Sequence, residues 1–490
     1  MRDRIAKSVF WMTWSRVALQ GISFVSTIVV ARLLSPSDYG LMALAGIWIG
    51  VIVLLAELGL GAAIVQFRDL DNRELNTCFW LTMSLAALGY GVLYLAAPLI
   101  AEWFATPRLL TVLRVVGLGL PLVALRVVPD ALLRQRIQLD RVSRAEVAAG
   151  LLTIPVVVGM AWAGTGVWAL VAGALATPLV QGAATFTLVR WKPGFQVGGR
   201  RVRHILDYSL AMLGSRVCWA VYEQADSFVL GKAAGDAVLG FYSMAKQLAL
   251  LPVEKVSGMV NQLATPVMAE LQADREGLRA AFLRAVRLVA WAAFPLCIGL
   301  MLVARDLVEV VLTEKWIRSV PVIQLLCMYA LIRSVAVLMP PALMARYRAR
   351  FLFAYTAGQL MIMPLAFWAG AVWWGAIGVA LAWVTVYPII LTLLARETFR
   401  AIHVSRQIIW AQVWPPMAAT VVMATSVLAV RWCISSWRND LALFHLALMV
   451  STGAATYGAA LLACGGPVRG EIQEAAGWLF RRRQVPTAAK

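Results

Sequence analysis

Stretches of roughly 20 apolar residues, the length that crosses a hydrocarbon core at 1.5 Å per residue, recur from one end of this chain to the other. Fourteen are readable, at 8–31, 40–63, 78–100, 110–129, 146–164, 167–189, 207–231, 238–264, 285–304, 320–342, 351–370, 372–394, 410–430 and 441–464. The seventh and eighth are the most polar. With 490 residues, 61% of them hydrophobic and 14% charged, and a mean hydropathy of +0.78, the chain has too little polar surface to cover a water-soluble globule. The sequence therefore predicts an all-α polytopic membrane protein of about fourteen transmembrane helices, with lipid as its solvent.

The start, MRDRIAKSVFWMTWSR, superficially resembles a signal peptide. Its apolar run is too long, however, carries Arg16 and has no small-residue cleavage site, so the first helix is expected to stay. If the N-terminus is cytoplasmic, Lys and Arg in the connecting segments are more than three-fold in excess on the inner side. The positive-inside rule predicts that asymmetry for an even number of crossings, and both termini are expected inside. Topology and anionic headgroups then account for the net charge of +19 without a nucleic-acid partner.

The six cysteines, Cys78, Cys218, Cys297, Cys327, Cys433 and Cys464, lie far apart and mostly in apolar runs, with no CxxC pair and no histidine at ligand spacing. They read as buried small hydrophobes, and His204, His403 and His445 as headgroup-level residues near span ends. No metal site and no cofactor are expected. The longest connections, 131–145, KPGFQVGGRRVRH and the basic tail ending RRRQVPTAAK, cannot fold as domains. There is no GxxxxGK[ST] loop, so the chain carries no ATPase of its own, and its short outer connections weigh against an enzyme.

The chain also repeats itself. At an offset of 200, Ser15-Arg16-Val17 falls on Ser215-Arg216-Val217, Val29 on Val229, Arg32 on Lys232, Gly40 on Gly240 and Ala45 on Ala245. At slightly larger offsets Arg73-Glu74 matches Arg275-Glu276, Pro129-Asp130-Ala131-Leu132 matches Pro340-Pro341-Ala342-Leu343, and Pro178 matches Pro388. These matches imply an N-terminal six-helix lobe over 1–195, a second over 196–400, two additional helices over 401–465 and a basic cytoplasmic tail over 466–490. Six crossings are even, so the repeat is parallel, and rocking of such halves places a substrate site between spans 1, 2, 7 and 8.

An ionisable residue inside a span costs a few kcal/mol and is a functional candidate unless it snorkels or pairs. In span 1, Arg16, Gln20, Ser23 and Thr27 fall on one narrow helical face; in span 7, Arg216, Glu223, Asp226 and Ser227 share a similar one. Two arginines at repeat-related positions would converge on a central cavity. Their guanidinium groups bind phosphate bidentately at any relevant pH. The competing readings are snorkelling for Arg16 and pairing with Glu223 or another acid for Arg216. Span 8 adds a face of Gln247, Glu254, Gly258, Asn261 and Thr265, with Lys246 and Lys255 off it. Glu57 lies among Gly46, Gly50, Gly59 and Gly61, where a carboxylate either pairs with an arginine or takes up a proton or Na⁺. Arg114, Arg126 and Arg333 read as snorkelling or structurally paired.

Three segments, ARLLSPSDYGLMALA (31–45), ELGLGAAIVQ (57–66) and ADSFVLGKAAGDAVLGFYSMAKQLALLP (225–252), resemble the polysaccharide transporter branch, Wzx-type and colanic-acid-exporter-like, of the multidrug/oligosaccharidyl-lipid/polysaccharide exporter (MOP) superfamily. The resemblance covers nearly the whole chain. It implies a flippase that carries undecaprenyl-diphosphate-linked oligosaccharide from the cytoplasmic to the periplasmic leaflet of a bacterial inner membrane, for exopolysaccharide or O-antigen synthesis. Its partners would be that lipid, membrane lipids and the polysaccharide polymerase and export machinery, with the chain a monomer. Related flippases engage the diphosphate in a cationic cavity, a role that falls on Arg16 and Arg216, with Gln20, Ser23, Thr27 and Asn261 as polar lining. Spans 13 and 14 would form the prenyl groove. Chemistry alone makes Glu57, Glu223, Asp226 and Glu254 candidates for ion coupling. The alternatives are a multidrug or cation antiporter of the same superfamily and a membrane glycosyltransferase or polymerase.

Overall fold

A computed structural model describes residues 21–67, 70–136, 138–189, 191–199, 201–434 and 442–464; for 139, 208, 211–216 and 464 it describes the backbone alone. Every regular element among the described residues is helical. In order these are α1 (Gly21–Leu33), α2 (Pro36–Glu57), α3 (Leu60–Gln66), α4 (Asn72–Trp103), α5 (Arg108–Val116), α6 (Gly119–Gln135), α7 (Leu139–Trp162) and α8 (Val167–Leu188). There follow α9 (Val202–Pro252), α10 (Gly258–Glu270), α11 (Arg275–Leu307), α12 (Val320–Ala336), α13 (Met339–Ala345), α14 (Ala349–Ala401), α15 (Arg406–Ile434) and α16 (Ala442–Cys464). Ten helical stretches among the described residues are long and apolar enough to cross a membrane.

Local chemistry sets the helix ends. The SPSD stretch is a capping box: Ser35 accepts from Asp38 N, and the Asp38 carboxylate accepts from Ser35 N at 3.0 Å, with Pro36 in the first turn. Asp38 also accepts from Val167 N at 3.1 Å, so one carboxylate caps two helices, α2 and α8. At the start of α4 a second box joins Asp71 and Glu74. Buried Glu74 takes a further bond from Arg201 N, and Asn76, Thr77 and Trp80 hold the backbone of 194–198, which pins the KPGFQVGG connection to α4.

Several expected spans are interrupted. Span 2 breaks at Leu58 and Gly59, both with positive φ, and Gln135 Nε2 closes the far end of α3 by donating to Ile64 O and Phe67 O at 2.8 Å each. Spans 4 and 10 each divide in two, as α5 with α6 and α12 with α13. Between α9 and α10 a π-helical turn covers Val253–Ser257. Such a turn inserts one residue, so Gln247 and Glu254 do not share a continuous face with Gly258, Asn261 and Thr265 as an unbroken α-helix would have it. The cysteine expectation holds for Cys78, Cys297 and Cys327, which are buried, but Cys433 is exposed.

Two turns far apart in the sequence share one backbone conformation. Gly166, before α8, has φ 59° and ψ −131°; Gly375, which breaks α14, has φ 59° and ψ −134°. That region of backbone space is open essentially to glycine alone, so two turns of the same hand are built by the same device.

The chain divides into two compact units. One comprises 1–245, 311–319 and 353–382, the other 246–310, 320–352 and 383–490. Within the second unit the helix pair α15 and α16 docks on α11. Tyr457 donates to Trp291 O at 2.6 Å, Arg287 Nε to Gln412 at 2.8 Å, and Arg431 pairs with Asp306 at 3.6 Å. Trp291 packs with Ala419, and Val303 with Val427 and Met449.

Candidate functional site

Of the residues singled out in the sequence, Arg16 and Gln20 lie outside the described residues, and Arg216 is described by its backbone alone, on α9. Ser23 is exposed and Thr27 half-buried on α1, with Thr27 Oγ1 donating to Ser23 O at 2.9 Å. On α10, half-buried Asn261 accepts at its carbonyl from Thr265 at 2.7 Å. Glu254 is exposed in the π turn. Glu223 and Asp226, grouped by their spacing, have different surroundings: Glu223 is exposed and Asp226 is fully buried.

Asp226 is the centre of a polar cluster within the first unit. Its Oδ2 accepts from Tyr242 at 2.7 Å, and its Oδ1 from Ser227 N at 2.6 Å and Ser227 Oγ at 3.1 Å. Tyr242 lies beyond the break at Gly235, so the bond ties the two arms of α9 together. Tyr242→Phe keeps the ring and leaves the carboxylate without that donor. It is expected to lower stability by about 1.5–3 kcal/mol, the worth of a hydrogen bond to a charged group, read as a fall in the denaturation midpoint of purified protein. An unchanged midpoint would show that this bond is no strut.

Where the start of α2 meets the break of α9 at Gly235, the first unit is clasped by reciprocal contacts. A Cβ on Gly40 would overlap the carbonyl of Asp236, and a Cβ on Gly240 would overlap the carbonyl of Pro36. The residues in each contact are offset by 200 from those in the other, as a two-fold relation demands. Ser37 Oγ donates to Asp236 in the same place. The repeat-related cations behave alike: Arg32 Nε donates to Val311 O at 2.7 Å and Lys232 Nζ to Trp103 O at 2.5 Å, each reaching the far end of a helix from the other half of the sequence. Lys315 Nζ donates back to Arg32 O at 2.5 Å and Leu34 O at 2.6 Å, and buried Trp316 donates to Ala31 O at 2.9 Å.

Glu57 ends α2 at the Leu58–Gly59 break and lines a cavity of about 460 Å³ with Arg126, Asp130 and Arg134 of α6. Arg126 pairs with Asp130 at 3.2 Å. Sequence reasoning left Arg126 to snorkel or to pair, and missed Asp130 and Arg134 as neighbours of Glu57. Their spacing of four residues either side of Asp130 is the signal that could have found them. Arg114 and Arg333 stand over aromatic rings, at 4.3 Å from that of Tyr94 and 5.8 Å from that of Tyr329.

A family described as polysaccharide biosynthesis protein matches residues 29–321, more than half of the chain. The chain belongs to this family. Within the polysaccharide biosynthesis proteins it is similar to the lipopolysaccharide biosynthesis protein WzxC of Escherichia coli (strain K12), at 27% identity over 398 residues, 79% of each chain. Its fold is similar to that of the lipid II flippase MurJ in an inward closed conformation, with a TM-score of 0.72 at 11% identity over 92% of this chain and 98% of that one. It is also similar to an inward-facing multidrug resistance MATE family transporter of the MOP superfamily, with a TM-score of 0.63 at 16% identity over 78% of this chain and 95% of that one. This member of the family is thus a multi-pass helical membrane protein with the MurJ and MATE fold.

Proposed function

We propose that this protein is a lipid-linked oligosaccharide flippase. It moves undecaprenyl-diphosphate-linked repeat units from the cytoplasmic to the periplasmic leaflet of a bacterial inner membrane by alternating access, without chemistry on the substrate. The observation that carries the reading is the reciprocal clasp at Gly40 and Gly240, a junction that a two-fold carrier must open and close, in a chain of a polysaccharide biosynthesis family. Fourteen spans, six-helix halves at 1–195 and 196–400 and cytoplasmic termini complete the proposal. In that orientation the clasp lies on the periplasmic side, where release occurs. Deleting the gene is expected to trap lipid-linked repeat units on the cytoplasmic face. Cells that export polymer normally and accumulate nothing would end the reading, and robust efflux of cationic dyes by reconstituted protein would favour an antiporter.

Coupling falls to the carboxylates Glu57, Glu223, Asp226 and Glu254. One charge moved across ~100 mV is worth ~2.3 kcal/mol, enough to bias an outward against an inward state. Asp226 is supported by its burial, because taking up a proton would weaken its bonds to Tyr242 and Ser227 and so loosen the two arms of α9. Glu57 is supported by the two arginines that share its cavity. In proteoliposomes with an imposed pH, Na⁺ or electrical gradient, Asp226→Asn is expected to flip a lipid-linked sugar with reduced gradient dependence. A folded variant with unchanged rate and unchanged dependence excludes Asp226.

A further inference from the structure

The end of α1 is held by a segment from the other half of the sequence, and the repeat-related place on α9 is held differently. A helix leaves its last carbonyls without internal partners. At the end of α1 two neighbouring side chains take them: Lys315 Nζ donates to Arg32 O at 2.5 Å and Leu34 O at 2.6 Å, and Trp316 Nε1 to Ala31 O at 2.9 Å. The ammonium also meets the negative end of the helix dipole. The Trp316 ring is fully buried, edge-on to Tyr39 of α2 at 5.3 Å and to Phe241 of α9 at 6.0 Å, so one side chain touches three helices. Arg32 Nε closes the loop by donating to Val311 O at 2.7 Å.

The repeat locates the counterpart of this segment. Val311, reached by Arg32, and Trp103, reached by Lys232, are 208 positions apart, as are Thr313 and Ala105, both with positive φ. At that offset Lys315 falls on Pro107 and Trp316 on Arg108. Proline offers no donor, and Arg108 is exposed. What remains on that side is Lys232, bonded to Trp103 O and 4.6 Å from the centre of the Trp103 ring. The closed two-fold arrangement is therefore fastened unequally. Thr313 adds a bias toward release, because at φ 98° a β-branched residue is strained and stays there only while its surroundings fix it.

We infer that Lys315 and Trp316 are positioning residues of the transport cycle. They hold α1, with the face that carries Ser23 and Thr27, in the closed form, and the clasp opens by letting go of this side while the contact of Lys232 with Trp103 stays as the pivot. The inference rests on the flippase reading for the existence of a cycle and not for the nature of the cargo.

The test reads opening directly. Spheroplasts carrying Ser23→Cys or Thr27→Cys are treated with a membrane-impermeant maleimide, and labelling at 23 or 27 is counted by peptide mass spectrometry, which keeps the native cysteines out of the measurement. Lys315→Met is expected to raise labelling about 10-fold, the shift that loss of a hydrogen bond from a charged donor brings, and Lys315→Arg, which keeps charge and donors, to return it toward the original level. Trp316→Phe keeps a ring between Tyr39 and Phe241 and loses the N–H, so it is expected to raise labelling about five-fold and serves if Lys315→Met does not fold. Lys232→Met is expected to change labelling less than about two-fold. Unchanged labelling in the Lys315 and Trp316 variants, with or without a lower denaturation midpoint, overturns the inference, since a part that only braces the fold would lower the midpoint alone. An equal rise in Lys232→Met overturns it as well, because the two sides would then open together. Labelling does not depend on what is carried, so a failure to flip lipid-linked sugar would end the flippase reading and leave these outcomes to be read on their own.

Discussion

Gly40→Ala and Gly240→Ala are each expected to remove most polysaccharide export while the protein still inserts into the membrane. At both positions the added methyl meets a backbone carbonyl, of Asp236 and of Pro36, and a backbone cannot swing aside as a side-chain tip can. Overpacking of this kind costs about 1–3 kcal/mol or more, and here the cost falls on the closed form of the clasp and not on a separated one. The equilibrium between the two forms should shift by an order of magnitude or more. Gly91→Ala on α4 is the matched control, because a Cβ there meets nothing within 4 Å, and it is expected to export normally. A pair of cysteines at Ser37 and Asp236, adjacent across the clasp, separates packing from movement. Oxidation should arrest flipping and reduction should restore it. Full activity in the oxidised state would mean that the clasp is static.

The parts of this arrangement that were legible in the sequence are those written in side chains or in the repeat. The matches of Gly40 with Gly240 and Arg32 with Lys232 mark the positions that meet their counterparts. What they meet was hidden, because Val311 O, Trp103 O, Pro36 O and Asp236 O are backbone atoms, which every residue type supplies equally. Hydropathy also averages over local geometry. The run 40–63 is uniformly apolar whether or not Leu58 and Gly59 turn to positive φ, and the π turn at Val253–Ser257 leaves no mark in composition while it rotates everything beyond it. Glu57 and Asp130 are neighbours around one cavity although 73 positions separate them, and only the packing of α3 on α6 brings them there. Glu223 and Asp226, placed on one helical face by their spacing, have different surroundings for a simpler reason. Three residues on a helix are some 60° apart, and at the edge of a packed face that angle divides a buried side chain from an exposed one.

Arg16→Ala and Arg216→Ala are each expected to abolish export, and the lysine substitutions to retain part of it. A guanidinium grips a phosphate through two parallel hydrogen bonds, while an ammonium keeps the charge and loses the fork. Removing one arginine from a diphosphate forfeits about 1.5–3 kcal/mol, a 10- to 100-fold weaker hold on the lipid-linked sugar. The same loss would follow if Arg216 served only to neutralise Glu223, seven residues along α9, so the single substitution does not decide the role. The double variant Arg216→Ala, Glu223→Gln does. If the arginine exists for the acid, removing both charges leaves nothing unpaired in the membrane and export returns. If it exists for the diphosphate, the double variant is as inactive as Arg216→Ala, and Glu223→Gln alone exports. Flipping measured in proteoliposomes with a short-chain diphosphate-linked sugar, at matched amounts of folded protein, distinguishes the two outcomes, and normal flipping by both alanine variants would remove the arginines from the site.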